Sequence, residues 1–490
     1  MTDAATTPRP DAPVTSSASP DGDGVASDEP SARGWHLGAG ILSASTVLIS
    51  AGNYAYSLIA VRMLDPAEFS RFSAAQALLL VLGTGCMAAI PWAMARSMAL
   101  TDTGEARREA LHFGLAAGLV QGLLAAPVAG LVLWALAGPA VGLITGVSAL
   151  CLSLVAAPLG FLQGEGRVAA IAGLRVVEFV VRVSVGLAAL TLLSQSGATA
   201  LLGFPVASGL LFGLGLWAAR RGFPLQRGDA RAVRLLIRQS LALGAVQVSL
   251  SALGAVDALA VEASGFTDAT RGSYQVAAVL GRIPLFVSIA IALAVYTTIA
   301  RARDDRRAGQ HLRHAVALYA ALAIPTVIAC WTVPSAVIAL VVPDAYTDVA
   351  ELLRFTSVAG AAVGLISVLT TAHQARGRYR EALRILVPVA VLEPVLLVGA
   401  GRAGGSTAFA AALVATTGLA ALLIARDARR WSALSLPRPW VGWPVAVGLI
   451  ATAALASGPL LWAAAITGVF ALFASRALRR VRATSTSEAA

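Results

Sequence analysis

EALHFGLAAGLVQGLLAAPVAGLVLW, residues 109–134, decides the fold of this chain. Only its first residue, Glu109, is charged, and the stretch exceeds the roughly 20 helical residues that cross the hydrocarbon core of a bilayer. Comparable apolar stretches follow one another from Gly38 to Ala474. A backbone surrounded by lipid must satisfy its own hydrogen bonds, so these stretches are predicted to be helices. The chain is therefore predicted to be an all-α polytopic membrane protein.

The apolar stretches predict about fourteen transmembrane helices. The last two are short and are joined by a tight turn at Gly458-Pro459. The predicted spans are residues 38–61, 72–95, 109–134, 139–160, 171–193, 199–219, 239–260, 275–299, 314–340, 350–373, 383–400, 405–425, 441–456 and 459–475.

The arginines predict the orientation of these helices. All 37 basic residues are arginine, and they collect in alternate gaps between the spans, with clusters at 220–238 and 301–313. The gaps on the other side hold few arginines, namely Arg62, Arg71, Arg271 and Arg402. Because positively charged loops stay in the cytoplasm, both termini are predicted to be cytoplasmic.

Composition narrows the class of protein further. The chain is 57% hydrophobic and 13% charged, whereas soluble chains are about 25% charged. Its net charge of +11 lies in short loops beside apolar spans, so it indicates topology and contact with anionic membrane lipids, not nucleic acid. Abundant Ala and Gly without lysine suggest a bacterial source. Cys86, Cys151 and Cys330 are isolated inside apolar segments, which predicts neither a metal site nor a disulfide.

The two halves of the chain share a faint internal repeat. RMLDPAEFSRFSAAQALLL, residues 62–80, follows the first predicted helix, and EASGFTDATRGSYQVAAVL, residues 262–280, follows the seventh. Each segment has a short acidic external turn, here expected to include Glu262, and then opens the next helix with an aromatic and small residues. Repeats separated by six helices keep the same orientation, and transporters often bind substrate between such halves.

Several phrases carry a resemblance to a known family. The opening NYAYSLIAVRMLDPAEFSRFSAAQALL, residues 53–79, resembles that of polysaccharide (O-antigen flippase-like) exporters in the multidrug/oligosaccharidyl-lipid/polysaccharide superfamily. Gln163-Gly164 with Arg167, GSYQVAAVLGRIPLF at 272–286 and HQARGRYREA at 373–382 also fit. The resemblance covers about residues 35–425, and the chain departs from the family's core of twelve helices by two additional C-terminal helices.

The resemblance implies two six-helix lobes around a central cavity that opens to one side at a time. It also implies translocation of a polyprenyl-pyrophosphate-linked oligosaccharide for cell-surface polysaccharide, in the bacterial cytoplasmic membrane. Glycosyltransferases or a polymerase of the same pathway would be partners. The expected organisation is a disordered cytoplasmic tail (1–34), N-lobe (35–219), basic cytoplasmic linker (220–238), C-lobe (239–425), two additional helices (426–475) and a cytoplasmic tail (476–490).

Charged residues inside the spans are the candidate site, because a charge in a transmembrane helix costs about 2.5–3.5 kcal/mol on insertion scales. Arg175, Glu178 and Arg182 share one face of the fifth helix. They are either a self-neutralising cluster between helices or a cationic patch that binds a pyrophosphate, a task that suits guanidinium groups.

Arg282 is the strongest candidate for substrate contact. It lies inside the eighth span, where Gly281 and Pro284 should loosen the helix. The resemblance implies a cavity arginine at this position in related lipid flippases. The alternative is an arginine that extends to the membrane surface or pairs with Asp257.

Two acids are candidates for ion coupling. Asp257 in the seventh span could pair with Arg282 or bind a coupling H⁺ or Na⁺. Glu393 in the eleventh span, followed by Pro394, is a second candidate or a carboxyl packed between helices. No cofactor is expected, and energy is expected from an ion gradient because no nucleotide-binding motif is present.

Two other functions remain open. A drug or cation antiporter of the same fold would need an acidic cavity. The candidate charges inside the spans are instead equal in number, with three arginines and three acids: Arg175, Arg182 and Arg282, and Glu178, Asp257 and Glu393. A non-transporting scaffold of a glycan-assembly complex is the other. An enzyme is not predicted, because GxSxG, HExxH and P-loop motifs are absent and every external gap is short.

Overall fold

The computed structural model describes residues 32–100, 104–220, 241, 244–432 and 458–471. Within these residues the chain is helical and contains no strand. Most of the two predicted tails, most of the predicted basic linker and the predicted span 441–456 lie outside the described residues.

We divide the described chain into an N-half, residues 32–220, and a C-half, residues 244–432. The helices of the N-half are α1 Ala32–Met63, α2 Pro66–Leu100, α3 Gly104–Ala137, α4 Pro139–Gly164, α5 Val168–Leu192, α6 Gly197–Leu201 and α7 Gly203–Ala218. Those of the C-half are α8 Gly244–Leu253, α9 Asp257–Ala263, α10 Asp268–Gly281, α11 Ile283–Arg301, α12 Asp305–Thr332, α13 Ser335–Ala339, α14 Val349–Ala375 and α15 Tyr379–Ser432. A last helix, α16 Pro459–Ala471, follows.

Nine described segments are long and apolar enough to cross a membrane, or ten if the bent pair α8 and α9 forms one span. Helix α5 is not among these segments because it carries three charged residues. Its 25 residues are nevertheless long enough to cross the hydrocarbon core of a bilayer. Helix α15 is interrupted at Gly404-Gly405, where Gly405 has a φ of 75°. The multi-span, all-helical prediction is confirmed, whereas the count of fourteen stays a prediction.

Several predicted continuous spans are instead broken in the C-half. The seventh bends by 55° between α8 and α9, and the eighth is interrupted between α10 and α11 at Arg282. The ninth ends at Thr332, because Pro334 cannot donate the next helical hydrogen bond. The Arg-rich gap 301–313 is partly helical, since α12 begins at Asp305.

Small residues bring α3 and α4 together. A Cβ atom at Gly118 would lie 2.7 Å from the carbonyl oxygen of Ser153, and one at Gly122 would lie 2.7 Å from the Leu150 side chain. Gly118 and Gly122, which are four residues apart on α3, therefore allow close packing of the two helices.

The two segments of the internal repeat contact each other. We call the end of the bundle that holds the α1–α2 turn the outer end, and the opposite end the inner end. A Cβ atom at Gly272, in the second segment, would lie 2.5 Å from the Cβ atom of Pro66 in the first. The largest hydrophobic cluster joins both halves here and includes Phe69, Tyr274 and Phe409.

At the inner end the large hydrophobic clusters of the described residues stay within one half. One contains Met94, Leu111 and Phe161 of the N-half, and another contains Leu312 and Leu369 of the C-half. Apolar packing therefore joins the halves more extensively at the outer end than at the inner end.

Candidate functional site

The first candidate cluster lies on α5 in the N-half. Arg182 Nη1 is 3.0 Å from Glu178 Oε1, and Arg175 Nη1 is 3.3 Å from Glu178 Oε2. The second nitrogen of Arg182, Nη2, donates to Asn53 Oδ1 on α1 at 2.9 Å. We call these four residues the α5 cluster. One carboxylate thus serves two arginines, which leaves one positive charge in excess.

The two arginines of the α5 cluster differ in environment. The Arg182 side chain is 12% exposed and its guanidinium carbon lies 5.1 Å from the centre of the Phe204 ring. Gly203 on α7 allows this packing, because a Cβ atom there would overlap the Arg182 carbonyl oxygen. The Arg175 side chain is 33% exposed. Arg182 is therefore packed between helices, and Arg175 is the more exposed of the two arginines.

The second candidate cluster is built in the C-half from residues at helix breaks. Asp257 begins α9 directly after the 55° bend, and Arg282 lies between the end of α10 and the start of α11. Arg282 Nη2 is 2.6 Å from Asp257 Oδ1. The buried hydroxyl of Tyr274 donates to Asp257 Oδ2 at 2.8 Å. Both oxygens of this buried carboxylate are therefore engaged.

Glu393 extends this cluster from α15. Its side chain is buried, and its Oε1 atom accepts a hydrogen bond from Thr416 Oγ1 at 3.1 Å. Its Oε2 atom has no partner among the described residues. Thr417, the neighbour of Thr416, lines a cavity together with Asp257 and Arg282. A buried carboxylate oxygen without a donor is costly, so this site is suited to a proton or a small cation.

We call Asp257, Tyr274, Arg282, Glu393 and Thr416 the C-half cluster. Asp257 and Arg282 line a small cavity with room for about one water molecule. Thr356, Gly360 and Thr417 line the same cavity. Gly360 lets α14 pack closely against the helix break, because a Cβ atom at this position would overlap the carbonyl oxygen of Gly281. The break therefore places a charged side chain beside this small cavity in a closely packed region.

Sequence reasoning missed Tyr274 and misplaced Glu262. Glu262 was expected in an external turn, but it is buried in α9, where Arg271 Nη1 lies 2.8 Å from its Oε2 atom and Ser70 of the N-half donates to Oε1. No local pattern marks either residue. Their contacts depend on the bend before α9, which turns this short helix towards α2 and α10.

Further hydrogen bonds, in addition to Ser70–Glu262, join the two halves at the outer end. The Tyr346 hydroxyl donates to the Leu64 carbonyl oxygen at 3.0 Å and also lies 3.3 Å from the Val61 carbonyl oxygen. Burial raises the pKa of this hydroxyl, which therefore remains a donor at neutral pH. The guanidinium of Arg62 donates to the carbonyl oxygens of Leu340 and Val341. We call these bonds, together with Ser70–Glu262, the outer contact.

The described residues contain no group of three His, Cys, Asp or Glu side chains placed to hold a metal ion. Each of the three cysteines is a free thiol.

Solved structures with a similar fold are membrane transporters. The chain is similar to the lipid II flippase MurJ in an inward closed conformation, with a TM-score of 0.69, 14% identity, and coverage of 89% of this chain and 99% of MurJ. It is also similar to a multidrug resistance MATE family transporter of the MOP superfamily in an inward-facing conformation. The TM-score is 0.60 at 14% identity, and the match covers 79% of this chain and 95% of that transporter. At these identities the similarity shows the fold alone.

A eukaryotic MATE transporter, AtDTX14, is similar with a TM-score of 0.58, 11% identity, and coverage of 81% of this chain and 98% of that one. No curated protein matches the sequence of the chain. A model of the polysaccharide biosynthesis protein family matches residues 58–351, more than half of the chain, which confirms the predicted resemblance. The chain belongs to the polysaccharide biosynthesis protein family and has the fold of MOP superfamily transporters.

Proposed function

We propose that this protein is a flippase that translocates a polyprenyl-pyrophosphate-linked oligosaccharide for cell-surface polysaccharide biosynthesis. The observation that carries the proposal is Arg282, a charged side chain at a helix break inside the bilayer-spanning part of the C-half. Intramembrane charges of this kind mark substrate and ion pathways. A guanidinium binds phosphate oxygens in pairs, so this arginine suits a pyrophosphate head group.

The family and the fold support the same function. Membership of the polysaccharide biosynthesis protein family connects the chain with glycan assembly. Its fold is shared with a protein named as a lipid II flippase. The substrate of such a flippase carries a large polar glycan and an anionic pyrophosphate on a lipid tail, which requires both cationic groups and a polar path.

In this mechanism the head group enters between an N-lobe (35–219) and a C-lobe (239–425), while the lipid tail stays in the bilayer. Arg175 and Arg182 of the N-half and Arg282 of the C-half bind the pyrophosphate from opposite sides. The outer contact then opens as the inner end closes, which is alternating access. The protein resides in a bacterial cytoplasmic membrane with both termini in the cytoplasm.

Ion coupling is assigned in this proposal to Asp257 and Glu393. The partnerless Oε2 atom of Glu393 and the buried Asp257 carboxylate provide oxygen ligands for H⁺ or Na⁺. Downhill entry of one ion then drives the return of the emptied lobes. Glycosyltransferases or a polymerase of the same pathway supply and use the lipid-linked glycan.

A drug or cation antiporter is the second candidate. The same two buried acids favour it, and so does the similarity in fold to MATE transporters. It is less well supported because three intramembrane arginines, Arg175, Arg182 and Arg282, would repel a cationic drug. A non-transporting scaffold of a glycan-assembly complex is the third.

The test is a deletion strain complemented with the wild-type gene, with Arg282→Ala, or with Arg402→Ala as a control. Arg402 donates only to the Ala263 carbonyl oxygen at the outer end. We expect deletion to abolish surface glycan and to trap lipid-linked precursor on the cytoplasmic face. Wild type and Arg402→Ala should restore the glycan, and a normally expressed Arg282→Ala should not.

Other outcomes select another function. Normal surface glycan together with new sensitivity to cationic dyes would replace the flippase with the antiporter. Full rescue of the glycan by Arg282→Ala and by variants of the α5 arginines would instead favour the scaffold, because a scaffold does not need charges inside its spans.

A further inference from the structure

A buried histidine ring lies at the inner end of the C-half, outside the C-half cluster. His373, near the end of α14, is fully buried. Its Nδ1 atom lies 2.8 Å from the carbonyl oxygen of Leu369, one turn earlier on the same helix. Its Nε2 atom lies 3.0 Å from Asp427 Oδ2 and 3.3 Å from the indole nitrogen of Trp431, and both of these residues belong to α15. We call His373, Asp427 and Trp431 the inner histidine site.

The bond to the backbone fixes which ring nitrogen carries the proton when the ring is neutral. A carbonyl oxygen only accepts hydrogen bonds, so Nδ1 of His373 is the donor to Leu369. The neutral ring therefore has a lone pair at Nε2, and only the charged imidazolium has a proton there. Histidine ordinarily gains or loses this charge between about pH 5 and 8.

The two partners of Nε2 require opposite states of this atom. The ionised carboxylate of Asp427 only accepts a hydrogen bond, so it requires a proton on Nε2. The indole N–H of Trp431 only donates, so it requires the lone pair. The two bonds are therefore alternatives, and the presence of one proton selects between them.

We infer that the inner histidine site binds one proton, and that this proton moves the attachment of α15 to α14 by one helical turn. With a neutral ring, Trp431 in the last turn of α15 donates to His373. With a charged ring, His373 donates instead to Asp427, which lies four residues earlier. The Asp427 side chain is 20% exposed and gives the proton a route from solvent to the buried ring. In the orientation of the proposed function this solvent is the cytoplasm.

The charged groups around the ring balance one another without the proton. The backbone N–H groups of Arg376 and Arg378 donate to the His373 carbonyl oxygen, so both arginines lie directly after the ring. Asp305 of α12 pairs with Arg376 at 2.7 Å and with Arg378 at 3.2 Å. Together with Asp427 these groups carry two positive and two negative charges. The proton on His373 therefore decides whether this end of the C-half is neutral or positive.

Trp431 connects the inner histidine site with the end of α15. The His373 ring meets its indole edge-on, with 5.5 Å between the ring centres, and the guanidinium carbon of Arg378 lies 5.2 Å from the centre of the indole ring. The next residue, Ser432, packs against α12, because a Cβ atom at Gly309 would overlap its carbonyl oxygen. Loss of the Trp431 bond should therefore loosen the last turn of α15 where this turn contacts α12.

The direct test observes Trp431 while the pH changes. The full chain is labelled with 5-fluorotryptophan and placed in nanodiscs, and the fluorine NMR signal of Trp431 is identified by its loss in Trp431→Phe. In wild type we expect this signal to move between two positions over about pH 5 to 8. In His373→Gln, whose amide can accept or donate but does not titrate, the signal should ignore pH. A wild-type signal that ignores pH, or a pH response that survives in His373→Gln, would overturn the inference.

A pair of variants separates the carboxylate from the rest of the C-half. Asp427→Asn removes the negative charge that favours the imidazolium, so the midpoint of the Trp431 signal should shift to lower pH. The matched control is His311→Gln on α12 of the same half, which should leave the midpoint unchanged. Equal midpoints in wild type and Asp427→Asn would show that this carboxylate is not the partner of the charged ring.

The state of the ring can be measured in the wild-type protein. His373 is preceded by alanine, whereas the other four histidines follow Trp35, Leu111, Gln310 and Arg313, so combined labelling of alanine carbonyl carbon and histidine nitrogen selects it. At high pH its ring should carry a proton on Nδ1 alone, and at low pH on both nitrogens. A neutral ring with its proton on Nε2 would overturn the inference, because Asp427 would then have its donor without any change in charge.

Hydrogen exchange tests the movement of the attachment. After correction for the intrinsic effect of pH, the backbone amides of residues 429–432 in wild type should exchange about fivefold faster with the charged ring than with the neutral ring. Equal or slower exchange would contradict the loosening of the last turn. These measurements need neither a lipid substrate nor an ion gradient, so their failure would leave the proposed flippase function unaffected.

Discussion

The α5 cluster and the C-half cluster contain the same kinds of charged residues in opposite proportion. The α5 cluster has two arginines and one glutamate on a continuous helix, so its excess charge is positive. The C-half cluster has one arginine and two acids, assembled from three helices at two breaks, so its excess charge is negative when both acids are ionised. The clusters of the two halves therefore differ in the sign of their excess charge.

In the proposed function, this difference divides the tasks of a flippase between the two halves. The two arginines of the α5 cluster share a single carboxylate, so one of them can bind an anion without losing its only counter-charge. Arg282 is paired with the buried Asp257, so a phosphate that binds Arg282 competes with this carboxylate.

The largest expected effect is on transport by arginine variants. Arg282→Gln should reduce translocation by about 100-fold, because hydrogen bonds to charged groups are worth up to about 3 kcal/mol. Arg175→Gln should reduce it by about 10-fold, since Arg182 remains in the same cluster. Initial rates of precursor translocation in inverted vesicles, normalised to protein amount, give both values. An Arg175→Gln variant as defective as Arg282→Gln would contradict the proposed difference between the halves.

Replacing the buried carboxylates should have different effects on stability. Glu178→Gln leaves two arginines without a counter-charge and should destabilise the protein by about 3 kcal/mol. Glu393→Gln keeps the acceptor for Thr416 and breaks no ion pair among the described residues, so it should be nearly neutral. Thermal unfolding in detergent, with each variant compared to wild type, measures the difference. Equal destabilisation by both substitutions would show that Glu393 has a cationic partner.

Variants of Asn53 and Tyr274, which each bond to a charged residue of one cluster, should distinguish an effect on stability from an effect on ion coupling. Asn53→Ala removes the acceptor for Arg182 and should lower stability by about 2 kcal/mol, with little change in ion dependence. Tyr274→Phe removes one donor to Asp257 and should lower stability by a similar amount, but should also change the sodium or pH dependence of translocation. Translocation that keeps its ion dependence in Tyr274→Phe would remove this residue from the coupling site.

The smallest expected effect concerns the outer contact, which must open for the two clusters to face outwards. Tyr346→Phe removes a hydroxyl that bonds the α1–α2 turn and should weaken the contact by about 1 kcal/mol, roughly a fivefold shift in population. The probe is a cysteine at Ala77, which packs against Ala255 and Ala258 of the other half, in a protein without its native cysteines. Its labelling by an impermeant maleimide from outside should become faster.

The control for this measurement is Tyr319→Phe. Tyr319 also donates to a backbone carbonyl, that of Ala361 at 2.7 Å, but both residues belong to the C-half. Equal labelling rates in the two variants would mean that the Tyr346 bond does not hold the halves together.

The sequence was informative where structure is local. Apolar length predicted the spans, and spacings of three and four residues placed Arg175, Glu178 and Arg182 on one face of α5, where they pair. The C-half cluster was predicted only as a set of separate candidates. The Asp257–Arg282 pair was one of two alternatives for Asp257 and one of three for Arg282, and nothing in the sequence chose between them.

The site residues that the sequence missed or misplaced have one physical origin. Tyr274, Ser70 and the buried position of Glu262 depend on the 55° bend between α8 and α9. Gly254 is the only helix-weakening residue in that bend, and a single glycine in an apolar span is too common to predict it. Where the chain bends, side chains distant in sequence meet, and only the tertiary structure shows which ones.

The measurement that tests the central claim most directly is translocation in proteoliposomes. Purified protein is reconstituted with a fluorescent short-chain polyprenyl-pyrophosphate oligosaccharide, and quenching by an impermeant reductant reports how much lipid changes leaflet under an imposed sodium or proton gradient. We predict translocation by wild type that requires the gradient, and none by Arg282→Gln. Gradient-driven movement of ethidium without movement of the labelled lipid would contradict the flippase and identify a cation antiporter.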